Sequence, residues 1–544
     1  MSRRWLSISL AAVAFAAAMV LAAGEIATSR RLNVIVLTVE STRSSDFTAA
    51  NFPEVFAAAR SGTRFTNHRA ESAWTAPNII AILAGLSPFA QGIHARDQSL
   101  PRGIVTPLMT LADAGWHVAG LQSFMTVSVF DRLGLAIQPG LDLRGWLAAR
   151  IRNRQPFVLW YHYLPTHLPY APSERRMPDW RALLPPGDAG AEKRLEAVMT
   201  EPVIPAGSVA FAAADRPAIR ALYLANLRSF DDWFGTFWDF FNRSGLRDDT
   251  ILVLTADHGD EQLDHGGLGH ASTSRHGHLH EEIVHVPLVI WPPPRLAARM
   301  APGVREDETW HVDVMPTLFD LLERKPALPF SGRSVLAPSA EKRAWNAVTS
   351  GAGYAEADPE HIRRFVFARK DGPWKLQIET IDGAVTGREL YNLDDDPGET
   401  RNRTRDEPER FAAMEAALDA KRLTMRPPSP ARIAAAAVSA QRPSWVYPAH
   451  RPTMGYEDFG GRFRLEWTGD ADQAYVVQYE AGEGWKAFSG EMEVVGTVKD
   501  FGTVDRAYWD RWVVPYGRVR VRVAPVGQAD LWSDWLEIKL VSKR

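Results

Sequence analysis

The sequence predicts an α/β domain on a central, mostly parallel sheet flanked by helices, with an all-β sandwich behind it. Three observations lead there. Unbroken β-rich runs such as "LNVIVLTVES", "PFVLWYHYLPTH" and "TILVLTADHGDE" have the composition of strands buried on both faces, as in parallel sheets. Helix-period stretches separate them, among them "FPEVFAAARSG", stopped by its glycine, and "AIRALYLANLRSFDDWFGTFWDFFNRSG". After about residue 425 the chain turns proline- and alanine-rich, and then alternates in the strand manner through "FRLEWTG", "AYVVQYEA" and "GRVRVRVAPVG".

From the N-terminus, Arg3 and Arg4 precede an uncharged apolar stretch from Trp5 to Ala23, and Val20-Leu21-Ala22 offers a peptidase small residues. This reads as an export signal over residues 1–29, with an uncleaved membrane anchor as the alternative. Either way the arginines stay cytoplasmic, and the rest is expected periplasmic, secreted or anchored on the outer side of the cytoplasmic membrane. "SRRWLS" weakly resembles a twin-arginine signal. The α/β domain is then assigned to residues 30–425, a linker to 426–455 and the sandwich to 456–544. "WSDWLEIKL" after "VRVRVAPVG" resembles the end of a fibronectin type III domain.

Composition narrows the function classes. At 544 residues, 46% hydrophobic and 23% charged, the chain affords two or three packed domains. A formal net charge of −3 gives no reason to expect nucleic acid as a partner. There is no cysteine, which excludes disulfides, thiolate metal sites and a cysteine nucleophile, and fits export.

The predicted strands end in groups able to bind metal or move protons: Glu40-Ser41, His162 with His167, and Asp257-His258. Open α/β sheets gather reactive groups at the carboxyl ends of their strands. The segment "ADHGDEQLDHGGLGHASTSRHGHLHEEIVHVPL" holds His258, His265, His270, His276, His278, His280 and His285. Asp257 and His258 offer a carboxylate and an imidazole, a half-shell suited to zinc or manganese, with calcium and magnesium as alternatives. Taken alone, such a pair also reads as a polar loop. Thr75, in "ESAWTAPNIIAILAGLSP", is equally two-sided: a helix N-cap ahead of a helix starting near Pro77, or a nucleophile. The two are compatible, because a helix N-terminus favours negative charge on a nearby oxygen.

Seven segments in order resolve this as a resemblance. "NVIVLTVESTR", "SGTRFTNHRAESAWTAPNIIAILAGLSPFAQGIH", "LWYHYLPTHLPYAP", "VLTADHGDE", "HGHLHEEIVHVPLVIWPP", "VDVMPTLFDLL" and "ELYNLDDDPGETRN" are similar to the motifs of the sulfatase branch of the alkaline phosphatase superfamily, over roughly residues 30–422. The resemblance implies that fold, a divalent metal held by Glu40, Asp257, His258 and Thr75, and Thr75 as nucleophile. It implies that His276, with His278 as its alternative, and His167 contact the substrate anion or the leaving group. His280 stands where the family usually has tyrosine.

Departures from the family narrow the chemistry further. Formylglycine-dependent sulfatases need cysteine or serine in Cys/Ser-x-Pro-x-Arg, and this chain has Thr75-Ala76-Pro77-Asn78-Ile79. The opening pair of aspartates reads Glu40-Ser41. Glutamate with a threonine nucleophile resembles phosphoethanolamine transferases and lipoteichoic acid synthases. "TAPN" is similar to nucleotide pyrophosphatase/phosphodiesterases, which implies that Asn78 contacts the phosphoryl group. Arg43 and Arg275 are further candidates to pair with an anion, and Asp264 with His265 for a second metal; Lys375 and the aromatics Trp445, Tyr447, Trp467 and Trp485 read first as structural. The expected activity is cleavage of phosphate mono- or diesters of a small molecule, lipid or glycan. Sulfate ester hydrolysis, phosphoalcohol transfer and a silent binding protein are the alternatives.

Overall fold

The computed structural model describes residues 31–94, 98–101, 104–122, 128–130, 132–139, 143–202, 204, 208–271, 277–336, 342–350, 364–426, 442–448, 453–459, 462–470, 473–485, 488–503, 506, 509–526 and 528–542. The export segment expected over residues 1–29, His276 and Arg275 lie outside them. Among the described residues no helix is long and apolar enough to cross a membrane.

Eight strands form the central sheet: β1 (Asn33–Val39), β2 (Thr63–Arg69), β3 (His117–Gln122), β4 (Ala136–Pro139), β5 (Phe157–Tyr163), β6 (Thr250–Ala256), β9 (His285–Trp291) and β10 (Gly303–Trp310), in the order β10-β2-β9-β6-β1-β5-β3-β4. Two short strands, β7 (Glu261–Gln262) and β8 (Leu268–Gly269), pair with each other in the loop after β6. The pairings from β4 across to β6 are all parallel, and only β9 runs against its neighbours on both sides. Every residue of β6 and all but the first of β1 are buried, as a sheet covered on both faces requires.

The covering helices follow from their apolar spacing. Helix α1 (Pro53–Ala59) and the long α3 (Arg216–Arg243) cover one face; α2 (Thr75–Ala84) packs on the other, with α5 (Val314–Leu321) against it. Along α3, Leu222, Phe230, Phe234, Phe237 and Phe241 turn inward, and Trp233 stacks on Tyr161 of β5 at 5.3 Å. A second sheet, β11 (Trp345–Ser350), β12 (Arg364–Asp371), β13 (Trp374–Ile381) and β14 (Ala384–Asn392), is antiparallel throughout and packs against α6 (Pro408–Arg422) through Leu376, Ile378, Met414 and Leu418.

The register of the central sheet sets the site. Val39 pairs with both Tyr163 and Ala256, so β1, β5 and β6 finish at one level and deliver Glu40 and Asp257 side by side. Ser41, next in the chain, has φ 55°. That left-handed conformation is held by Tyr223, whose hydroxyl donates to the Ser41 carbonyl at 2.8 Å.

The C-terminal sandwich has two sheets, β15 (Trp445–Tyr447), β17 (Arg462–Trp467) and β20 (Val498–Thr503) in one, and β16 (Thr453–Gly455), β22 (Leu536–Val541), β21 (Arg518–Pro525), β18 (Ala474–Ala481) and β19 (Phe488–Val495) in the other. It begins at Trp445 and not at residue 456, because β15 and β16 both join its sheets. The proline-rich composition hid this: Trp445 packs edge-on against the buried Trp467 at 6.0 Å, which ties the segment into the core. The aromatics there are structural in the manner their composition suggested.

Glu71, at the entry to α2, is 3% exposed and accepts from Val312 N–H at 3.2 Å. Burial, with Asp313 adding its charge, pushes its carboxyl up to about 8 from an ordinary 4.5. The folded chain therefore holds a proton there that the unfolded chain releases, and stability falls as pH rises from 4.5 to about 8, then levels. Glu71→Gln is expected to flatten that decline in chemical-denaturation midpoints measured across the same window.

Candidate active site and metal centre

Glu40 extends from β1 into a fully enclosed position. His162, on β5, donates from Nε2 to Glu40 Oε2 at 2.8 Å. Its tautomer follows from its other side: Trp160 Nε1 donates to Thr38 Oγ1 at 2.9 Å, and the Thr38 hydroxyl proton faces His162 Nδ1 at 2.8 Å. Ser41 Oγ donates to Glu40 Oε1 at 3.0 Å, so the serine standing where the family carries an aspartate supports the remaining acid.

Asp257 leaves β6 beside it. Its Oδ1 accepts from Ser41 N–H at 3.1 Å and from His258 N–H at 2.9 Å, while its Oδ2 is buried without a hydrogen bond. His258 donates from Nδ1 to the Gly259 carbonyl at 2.8 Å, which turns Nε2 inward. Nε2 then lies 3.2 Å from Glu40 Oε1, 3.3 Å from Asp257 Oδ2 and 3.3 Å from Thr75 Oγ1. Thr75 Oγ1 is 3.4 Å from Glu40 Oε2.

The electrostatics are those of a cation site. Burial opposes the charge of His258, yet Asp257 and Glu40 carry it up to about 9. Burial, and the Glu40 charge after it, push Asp257 up to about 6. Burial also works against Glu40, but His162 and His258 hold it well below the carboxylate range. Two acids and an imidazole nitrogen converge on one point with Asp257 Oδ2 unsatisfied. That donor set fits zinc or manganese, with Thr75 Oγ as a fourth donor.

Further groups surround the point. The His270 ring lies 4.0 Å from the His258 ring, and its Nδ1 donates to Asp260 Oδ1 at 2.8 Å. Tyr170 donates to the other oxygen of Asp260. Burial lifts Asp260 to about 6 although Tyr170 acts to lower it. His167 stands edge-on to His270 at 5.2 Å; burial pushes it down to about 4 with Glu40 pulling the other way. The sequence marked His162 as a strand-end group and His270 as one of a run of histidines without giving either a role, and it did not single out Asp260 or Tyr170. Most of the bonds that bring them into the site come from elements distant in the chain.

Four expectations need correction. Thr75 is not an N-cap: α2 starts at Thr75 itself after an extended Trp74, and the hydroxyl faces Glu40 and His258 in place of backbone N–H groups. Asn78 is committed to the backbone around it. It is fully buried, its Oδ1 accepts from Glu71 and Ser72 N–H, both at 3.1 Å, and its Nδ2 donates to the Ser72 and Trp74 carbonyls at 2.8 and 3.2 Å. It is a positioning residue that folds the chain into Thr75. Arg43 is buried and committed to Asp264 and the Asp260 carbonyl, which also removes Asp264 as a ligand. His278 is turned away, bonded to Glu261 Oε2 at 3.1 Å and packed on His280. Lys375 is structural, paired with Glu281 and Glu399 at 2.9 and 3.0 Å.

Comparison with known proteins finds similarity to sulfatases and related hydrolases. Residues 142–323 match the sulfatase family profile. The chain is 30% identical over 118 residues to a multifunctional alkaline phosphatase superfamily protein, PehA, of Trinickia caryophylli, covering 22% of this chain and 21% of that one. It is 28% identical over 187 residues to a choline-sulfatase of Rhizobium meliloti, covering 34% and 32%, and 26% identical over 206 residues to arylsulfatase K of Xenopus laevis, covering 37% and 36%. The matches thus span about a fifth to a third of these relatives. Among solved structures, a phosphonate monoester hydrolase of Agrobacterium radiobacter shares the fold with a TM-score of 0.57 at 19% identity, over 73% of this chain and 96% of that one.

Asn78→Ala would leave two N–H groups and two carbonyls without their partner, at about 1–3 kcal/mol for each group that stays unsatisfied. The expected result is a loss of at least about 2 kcal/mol of stability with a fall in kcat larger than any rise in KM. Denaturation curves and steady-state kinetics on one preparation check it.

Proposed function

We propose that this chain, which belongs to the sulfatase family of the alkaline phosphatase superfamily, is a metal-dependent hydrolase of phosphate mono- or diesters with Thr75 as nucleophile. The observation that carries the reading is the position of Thr75 Oγ1, 3.3 Å from His258 Nε2 and 3.4 Å from Glu40 Oε2, at the first turn of α2.

Glu40, Asp257, His258 and Thr75 would hold the divalent ion, which when bound supplies positive charge that acidifies a hydroxyl and neutralises phosphoryl oxygens. Thr75 passes its hydroxyl proton to solvent, regaining one when its oxygen later leaves phosphorus, and that oxygen attacks phosphorus in line. The bond from phosphorus to the leaving oxygen breaks, and the His270 imidazole, with neutral His167 packed against it, delivers the proton that departs with the alcohol. Asp260 holds His270 by Nδ1, so Nε2 is the nitrogen that exchanges the proton. Water then attacks the threonine phosphoester and gives a proton back to that imidazole, and Thr75 is regenerated. The free N–H groups at the start of α2 favour the developing negative charge.

Phosphorus is preferred to sulfur because threonine cannot become formylglycine. Sulfate ester hydrolysis is the second reading, favoured by the names choline-sulfatase and arylsulfatase K among the relatives. The proposal also places the enzyme outside the cytoplasmic membrane, supported by Arg3, Arg4, the apolar stretch after them and the absence of cysteine. Its substrate is a small-molecule, lipid or glycan ester.

With 4-nitrophenyl phosphate, bis(4-nitrophenyl) phosphate and 4-nitrophenyl sulfate, a phosphate ester is expected to turn over fastest. Thr75→Ala should lower kcat by at least about 10³-fold, while Thr75→Ser keeps measurable turnover. Dialysis against a chelator should abolish turnover and zinc or manganese should restore it. A fastest rate on the sulfate ester, undiminished in Thr75→Ala, would overturn the proposal.

A further inference from the structure

A second group of histidines and carboxylates gathers behind the first and shares no residue with it. Between them two backbones touch: Gly259 N–H donates to the Ile283 carbonyl at 2.7 Å, and a Cβ on Gly259 would stand 2.0 Å from the Glu282 carbonyl oxygen. On the far side, His265 from the loop after β7 meets His280 and Glu282, which open the short helix α4 (Glu281–Val284).

His265 Nε2 donates to the Glu399 carbonyl at 3.3 Å, and Nδ1 faces Glu282 Oε1 at 2.7 Å, an ion pair in the metal-free chain. His280 stacks on His265 at 3.9 Å and is 5% exposed. Its Nε2 is taken by Glu389 Oε2 at 3.3 Å, and its Nδ1 is buried without a hydrogen bond, 3.9 Å from the same Glu282 Oε1. In both rings the outer nitrogen is fixed by an oxygen and the inner one points at one carboxylate atom, the arrangement that orients metal-bound imidazoles. Burial holds His280 below its ordinary pKa, in keeping with a bare nitrogen at that position.

We propose that His265 Nδ1, His280 Nδ1 and Glu282 form a second divalent-metal site, of zinc-binding character, with a structural role. Two imidazoles and one carboxylate suit zinc over magnesium or calcium. His265 and Glu282 also line a cleft of about 1160 Å³, from which water completes the coordination. Through the Gly259–Ile283 contact, the bound ion fixes α4 against the strand end that carries Asp257 and His258. The proposal stands independently of the reaction assigned to Thr75.

The test is metal content of the full chain, loaded with zinc, desalted and weighed by native mass spectrometry. Two ions per chain are expected. His280→Tyr, which installs the residue usual in the family and keeps the ring packing, should hold one, as should Glu282→Gln. Asp257→Asn should also hold one, and Asp257→Asn/His280→Tyr close to none. Circular dichroism of each metal-free variant confirms folding, and anomalous scattering at the zinc edge from wild-type crystals gives a readout that needs no variant. A peak beside His265, His280 and Glu282 supports the site. No peak there, an Asp257→Asn chain that holds no zinc, or His280→Tyr and Glu282→Gln variants that hold as much zinc as the wild type would each overturn it.

Discussion

Two carboxylates, Glu40 and Asp257, are forced together in a space from which water is excluded, and the rest of the site answers that constraint. Neither is exposed, and each comes off the end of a neighbouring parallel strand at the same level. Like charges that close, with no solvent to screen them, are tolerable only with positive charge between them. His258 supplies it as a protonated imidazole in the metal-free chain, and a divalent ion would supply more. The surrounding bonds point the same way. His162 and Ser41 take up Glu40's outer lone pairs, two backbone N–H groups take up one oxygen of Asp257, and the other oxygen is left facing the centre.

Thr75 enters this centre because of what Asn78 does one turn later. A chain arriving from β2 must turn through residues 70–74 and start a helix with its first hydroxyl inward. Asn78 copies a piece of backbone for it, accepting from two N–H groups and donating to two carbonyls of that turn. A substrate-binding asparagine would have to leave those bonds. The helix gains no cap from Thr75, so its hydroxyl is available for chemistry, and the polar work of the helix start is done from inside the helix.

The distinction also explains what could be read from the sequence. Strand burial leaves a local signature, so β1, β5 and β6 and the polar groups brought together at their ends, Glu40, Asp257 and His258, were legible. Thr75 was legible through its segment's resemblance to a known motif. What a polar side chain bonds to is decided by elements distant in sequence, and there local reading failed. Asn78 and His278 were assigned to substrate because their segments carry substrate residues in related chains. Arg43 looked available until Asp264, from a loop far along the chain, claimed it. His162 went unassigned for the converse reason: its importance arises from the β1–β5 register, which pairs it with Thr38, and no pattern within β5 announces that. The early start of the sandwich was hidden similarly, since β15 and β16 are three residues each and owe their existence to the sheets they join.

Register reasoning extends to the sandwich itself. Leu164 lies between His162 and His167, in the turn that leaves β5, and is buried in the same hydrophobic cluster as Met454, Trp467 and Trp509. The long helix α3 packs against this turn, yet Leu164 itself belongs to the hydrophobic cluster of the sandwich. Apolar surface left there would weaken the turn that aims His167 at His270. The sandwich buries it, giving the turn before His167 a packed support, and it also meets the central sheet where β20 contacts β4. The two parts of the chain thus share a core beside the turn that carries His167.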